Sequence, residues 1–138
     1  MEAAMNNLRK LDADTESLLG IVAPFVPMLT LFPRWQDDGV QARWGVNYFG
    51  DCKYICLLGI GLVLASMAIS KKRVRIKVLL SFLGHALFWI PIYYMNHLEA
   101  AIGISVSTIW PYIALIAAVG LFVFQSLLYI DMYHRSKE

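Results

Sequence analysis

The chain alternates between mixed polar segments and four long apolar runs. These runs are too continuous for a half-buried strand and too evenly apolar for the one-sided stripe of a surface helix. Residues 17–32, 54–70, 78–95 and 110–130 carry no charged side chain. In hydrocarbon every backbone polar group must be satisfied within the structure, so segments of this length and composition read as membrane helices. The pattern predicts an all-α, polytopic membrane protein: a single domain over residues 1–138 with four transmembrane helices.

The four runs are not equivalent. The first contains Pro24 and Pro27 within sixteen residues and would rise only ~24 Å as an α-helix, short of a ~30 Å hydrocarbon core. A kinked helix is expected there, with a re-entrant segment as the alternative. The second is rich in Gly and Leu and ends at KKRVRIK, and the third holds Pro91 near its far end. Apolar character before the fourth begins near Ala100. A helix from there to Ile130 would be ~46 Å long, so residues 100–109 are expected to form an interfacial or protruding helix that turns at Pro111.

Composition supports the membrane reading, with 59% apolar and 16% charged residues against ~45–50% and ~25% in soluble domains. A net charge of +2, with its cations beside apolar runs, leaves no nucleic-acid footprint. The first sixteen residues are polar and mixed in charge and PRW follows the first run, so that run reads as a retained anchor rather than a cleaved leader. Lys and Arg set the orientation. Arg9, Lys10, the middle loop and Arg135 with Lys137 fall on one side, against Arg34, Arg43 and Lys53 on the other. The positive-inside rule makes both termini and the middle loop cytoplasmic, with residues 33–53 and 96–109 outside. The expected home is a bacterial inner membrane. Trp35, Trp44, Trp110, Tyr54, Tyr93, Tyr94, Tyr129 and Tyr133 lie near span ends, where amphipathic rings anchor.

Polar residues inside the runs are the candidate chemistry. His85 lies eight residues from Lys77, ~12 Å into its span. Ser81, His85 and Trp89 share one helix face at i, i+4 and i+8, and Ser66, Gln125 and Ser126 fall in the same half of the membrane. A face bearing an imidazole must look into the bundle or a wet cavity. His85 is then either a polar peg joined to Gln125 or a serine, or a proton-relay or ligand-gripping group.

Cys52 and Cys56 at helical spacing hold their Cβ atoms ~5–6 Å apart, too far for a disulfide. Unpaired thiols are therefore expected, with a bridge between copies as the alternative. His97 would complete only a three-ligand set with them, and C-x3-C is not a usual zinc spacing, so neither metal nor cofactor is expected.

The outer loop PRWQDDGVQARWGVNYFGDCK reads either as an amphipathic piece anchored by Trp35 and Trp44 or as a docking surface for a protein partner through Trp35, Arg43 and Trp44. In the middle loop Lys71, Lys72, Arg73, Arg75 and Lys77 suit anionic lipid headgroups or an acidic protein face. Gly59, Gly61 and Ala65, and Ala114, Ala117, Ala118 and Gly120, form small-residue strips that bring helices together within the bundle or between copies.

No catalytic signature emerges: GISV departs from G-x-S-x-G at its last required position and no H-E-x-x-H occurs. Asp37, Asp38, His97 and Glu99 could meet at the outer surface, the basis of a weaker reading as an enzyme acting on lipid. Small four-helix multidrug exporters are similar in size and span count, but they carry a glutamate within the first helix, which Glu16 here only precedes. Four-span junction proteins also pair an outer Trp-Gly with two cysteines. Trp44, Gly45, Cys52 and Cys56 do not reproduce their spacing.

The sequence thus predicts a non-enzymatic membrane scaffold, sensor or immunity-type subunit, oligomeric and acting through its outer and cytoplasmic loops. The alternative is a small oligomeric channel or transporter with a polar path through His85, Gln125, Ser66 and Ser81.

Overall fold

The computed structural model describes residues 18–102 and 107–137. The elements run α1 (Leu18–Leu31), β1 (Arg34–Asp37), β2 (Ala42–Trp44), α2 (Gly45–Asp51), α3 (Lys53–Ala68), α4 (Val74–Ala101) and α5 (Trp110–Arg135). A single 3-10 turn, Lys71–Arg73, joins α3 to α4. The fold is mostly helical, and α4 and α5 are each long and apolar enough to cross a membrane. Counting α2 and α3 as one broken span brings that number to three.

α1 departs from the expected kinked α-helix. After one α-helical turn it tightens to 3-10 geometry over Ala23–Leu31. The reason lies in the spacing of Pro24 and Pro27: at three residues per turn the two rings stack on one face, and both are buried. The 3-10 rise of ~2.0 Å per residue also lengthens the segment, so Leu18–Leu31 extends ~26 Å rather than ~21 Å. Its ends lie far apart, since Gly20 sits against Leu128 on α5 whereas the Leu31 backbone abuts Gly45 below the Trp35 ring. Ser17, Glu16, Arg9 and Lys10 lie outside the described residues.

α3 and α4 form the tightest pair. A Cβ on Gly59 would stand 2.6 Å from Gly84 O, and one on Gly84 would stand 2.7 Å from Gly59 O. The two backbones therefore cross in direct contact, as small residues allow in a medium without a hydrophobic drive between helices. Gly61 and Gly120, assigned by spacing to the same kind of strip, have open space where a Cβ would be. Ala114 and Ala118 of α5 are buried against the core of Trp35, Tyr48, Cys56, Phe88, Trp89 and Ile92.

α4 has 28 residues, or ~42 Å, and continues through Pro91. It outruns a hydrocarbon core by about two turns, and that excess carries Asn96 and Glu99 into a small head built from β1, β2 and α2. The interfacial helix expected at 100–109 is corrected accordingly: Ala100 and Ala101 end α4, while Ser107 bridges to Gln36 in an antiparallel pairing and the Thr108 amide donates to Trp35 O at 2.8 Å. Residues 103–106 lie outside the described set. α2 meets α3 at a bend of 95° about Cys52, so it lies across the bundle end. Cys52 and Cys56 are both free thiols.

The outer faces of the helices are apolar and exposed, including Leu29, Leu57, Leu58, Phe82, Ile90, Ile116 and Leu127. Ser66, Lys77, Ser81, His85, Asn96 and Gln125 are buried. Polar inside and apolar outside is the reverse of a water-soluble domain, and it matches a hydrocarbon solvent.

Candidate functional site

Two polar clusters lie at different heights of the bundle, one inside it toward the end bearing Lys71–Lys77 and one in the head.

The inner cluster joins α3, α4 and α5. The single Ser66 hydroxyl proton is taken by Val63 O at 2.6 Å. Tyr129 OH, 2.8 Å from Ser66 Oγ, must then be the donor of that pair. It accepts in turn from Gln125 Nε2 at 2.9 Å. Gln125 Oε1 is left to accept from Ser81 Oγ at 2.5 Å and from His85 Nε2 at 3.1 Å. A carbonyl cannot donate, so His85 carries its proton on Nε2. Turning the amide over would leave the Ser81 and His85 protons without acceptors among the described residues. The order of protons from His85 to the Val63 carbonyl is therefore set by the chain of partners.

Lys77 closes this cluster at its outer edge. Its ammonium donates to Met67 O at 3.2 Å and Ile69 O at 2.7 Å, and lies 4.5 Å from the centre of the Tyr129 ring. The last carbonyls of α3 are thus capped by a cation, the favourable sign for a helix C-terminus. Lys77→Met is expected to lower stability in detergent by about 2 kcal/mol, the worth of charge-assisted bonds left unmade. Arg75→Met, at an exposed position, is expected to leave the thermal midpoint unchanged, and equal midpoints for the two variants would refute the capping role.

In the head, Asp38 and Gly39 turn the chain between β1 and β2, with Gly39 at φ +83°. Ladder register slips between Arg34 and Gln36, so Trp35 has no partner across the hairpin. Its ring is fully buried and its indole N–H donates to Thr30 O at 2.8 Å. Gln36 Nε2 donates to Asn96 O at 2.8 Å and Asn96 Oδ1 at 3.2 Å, and Asn96 Nδ2 reaches Ser107 Oγ at 3.3 Å. Arg43 pairs with both Glu99 and Asp51. Its guanidinium lies 4.8 Å from the centre of the Tyr48 ring, whose hydroxyl donates to Glu99 at 3.0 Å. Burial, followed by the Glu99 carboxylate, holds the Tyr48 phenol well above its usual range. A cleft of about 590 Å³ opens beside these groups, lined by Gln36, Gln41, Arg43, Asn47 and Glu99.

The hairpin turn is held by carboxylates. Asp38 accepts from the amides of Val40 and Gln41, and Asp37 from that of Gly39. Bonds to the Gln41 and Val40 amides lower the Asp38 carboxyl, and the Gly39 amide followed by Arg34 lowers Asp37. Folded values below the unfolded ones mean that the contribution to stability is present above the ordinary carboxylate range and is lost as pH falls through the depressed values. Amide exchange at Val40 and Gln41 is expected to accelerate on acidification below about pH 4 relative to the intrinsic rate, and in Asp38→Ala at any pH. Unaltered protection in both cases would remove the turn's carboxylate origin.

The residues singled out by sequence are distributed unevenly. Ser66, Ser81, His85 and Gln125 meet as one set, whereas Ser126 bonds Phe122 O of its own helix at 2.8 Å. Tyr129, expected as an interface anchor, is buried at the centre of the set, a correction signalled by its position four residues after Gln125. Trp35 and Lys77, assigned to contact surfaces, are buried and used internally. Trp44, Lys71, Lys72, Arg73 and Arg75 are exposed, and Arg43 is half-buried. Asp37, Asp38, His97 and Glu99 do not converge: the aspartates hold the turn, Glu99 holds Arg43, and His97 lines a small crevice with Tyr93 and Tyr94. No group of three metal-ligating side chains occurs among the described residues.

A polar seam enclosed by apolar helices, two of them long and apolar enough to cross a membrane, lies beneath an ion-paired head. No protein-family model matches the chain, and no curated protein or solved structure shows significant similarity to it.

Proposed function

We propose that the chain is an integral protein of a bacterial inner membrane that works by contact, as a scaffold, sensor or immunity-type subunit rather than an enzyme. In this reading α1, α3, α4 and α5 all cross, with both termini and Lys71–Lys77 in the cytoplasm and the head outside. The 3-10 extension of α1, from Leu128 at one end to Gly45 at the other, supports the first crossing. The Lys and Arg count supports the orientation.

The observation that carries the reading is the closure of the inner polar cluster. Ser66, Ser81, Gln125 and Tyr129 bond to one another or to Val63 O, which speaks against a continuous wet path along them past His85. Charged and aromatic side chains instead gather at the two bundle ends. Val40 at the hairpin tip is almost wholly exposed and, with Trp44 exposed at the hairpin base, forms the outer contact surface. Lys71, Lys72, Arg73 and Arg75 form the inner one, toward anionic headgroups and a protein partner of acidic face. Gly61 and Gly120, facing outward, support self-association into an oligomer.

Co-purification in mild detergent tests this. Val40→Asp at the tip and Trp44→Ala at the base of the hairpin, together with reversal of the four exposed cations, are expected to remove bound partners while the fold persists. Partners retained by both variants, combined with an ion or solute flux in liposomes that His85→Ala abolishes, would establish the transporter in place of the scaffold.

A further inference from the structure

The proton order of the inner cluster leaves His85 half used. Nε2 donates to Gln125, while Nδ1, which has no proton in that tautomer, is a lone-pair acceptor with no hydrogen-bond partner among the described residues. His85 is more than nine-tenths buried. No sealed side-chain nitrogen or oxygen is unpaired among the described residues, so Nδ1 retains some accessible surface.

Two spaces among the described residues are lined by His85. One, facing Pro24, Met28 and Ile60, is about 10 Å³. That is marginal even for a water, which also needs two to four polar partners. The other is a crevice of about 170 Å³ between α4 and α5, lined by Phe82, His85, Trp89, Leu115, Val119 and Phe122. Ile90 and Val119 at its mouth are exposed on the lipid side, and Phe122 meets the imidazole edge-on with ring centres 6.3 Å apart.

We propose that this crevice is a binding site for a lipid-soluble molecule with a single phenolic ring, whose hydroxyl donates to His85 Nδ1. Depth, size and walls each narrow the occupant. The site lies ~12 Å inside the Lys77 boundary, beyond the reach of phospholipid headgroups. Its volume is close to the ~150 Å³ known to hold a benzene ring. Three aromatic walls favour a ring over an aliphatic alcohol, by edge-to-face contact. A hydroxyl is required because an apolar ring alone would leave the Nδ1 lone pair unmet. Any tail on the ring passes out between Ile90 and Val119 into lipid.

The test uses the full chain in detergent micelles with labelled histidine, titrated with 4-hexylphenol and with hexylbenzene. The phenol is expected to bind at least tenfold more tightly and to move the His85 Nδ1 resonance saturably while Nε2 stays in place. Val119→Trp, which fills the crevice from its lipid side, is expected to abolish binding with the thermal midpoint retained. In His85→Phe the two ligands are expected to bind alike. The proposal is overturned by equal affinities in the wild type, by an Nδ1 that is protonated or does not respond, or by phenol binding that survives Val119→Trp. Should His85→Phe not fold, the wild-type ligand pair and Val119→Trp decide the matter between them.

Discussion

Gly59→Ala and Gly84→Ala are each expected to lower the stability of the detergent-solubilised protein by about 2–3 kcal/mol, the upper range for overpacking a tight interface. The new methyl on Gly59 would face Gly84 O at 2.6 Å and Phe88 N at 2.8 Å, and that on Gly84 would face Gly59 O and Val63 N at 2.7 and 2.8 Å. These are backbone atoms, so no rotamer change relieves the clash and the helices must separate. Once they have separated for one methyl, the second adds little, and the double variant should cost less than the sum of the singles. Gly61→Ala is the internal control. With nothing within 4 Å of its Cβ, it should be neutral or stabilising, since Ala is the better helix former by up to ~1 kcal/mol. Thermal unfolding followed by circular dichroism reads all four, and similar midpoints for Gly59→Ala and Gly61→Ala would remove the close crossing from the account.

The second large effect is expected at Gln125. Its amide serves Ser81, His85 and Tyr129 together, so Gln125→Leu, close in volume, strands two donors and one acceptor at once. Individual hydrogen bonds between membrane helices are worth ~0.6–2 kcal/mol, and losing two of them together with the bond to Tyr129 on the same helix is expected to destabilise by roughly 3 kcal/mol. Ser126→Ala, one residue along but bonded within its own helix, is expected to change little. A second signature separates lost bonds from lost packing. In Gln125→Leu the His85 ring loses the acceptor that fixes its Nε2 proton, so its tautomer should become mixed by nitrogen resonance. A single retained tautomer would show that the proton order has another origin.

The parts legible in the sequence are those governed by local period. Ser81 and His85 lie one turn apart, and Gln125 falls at the same depth on another run, so their meeting followed from placing polar groups inward. Tyr129 was hidden because a tyrosine near a span end reads as an interface ring, although four residues is also one helical turn from Gln125. In α1 the prolines were visible but their consequence was not: a spacing of three suits a 3-10 period, and an α-helical reading turns it into a kink. The far end of α4 was cut short because NHLEAA reads as polar loop at a membrane boundary, while Leu, Glu and Ala are strong helix formers that carry on beyond it.

The head was the least accessible. Its strands have four and three residues and α2 has seven, lengths at which neither period can be counted. What fixes it are contacts such as Gln36 with Asn96 and Arg43 with Glu99, 60 and 56 residues apart, and such pairings leave no local trace.

The arrangement in the bilayer is tested most directly by single-cysteine accessibility in a variant lacking Cys52 and Cys56, probed with a membrane-impermeant maleimide in bacterial spheroplasts. Cysteine at position 40 is expected to label in intact spheroplasts, and cysteines at positions 6, 72 and 136 only after the membrane is opened. Labelling of positions 6 and 40 from the same side would contradict a crossing by α1, and with it the four-pass arrangement that places the head and the cationic turn on opposite faces.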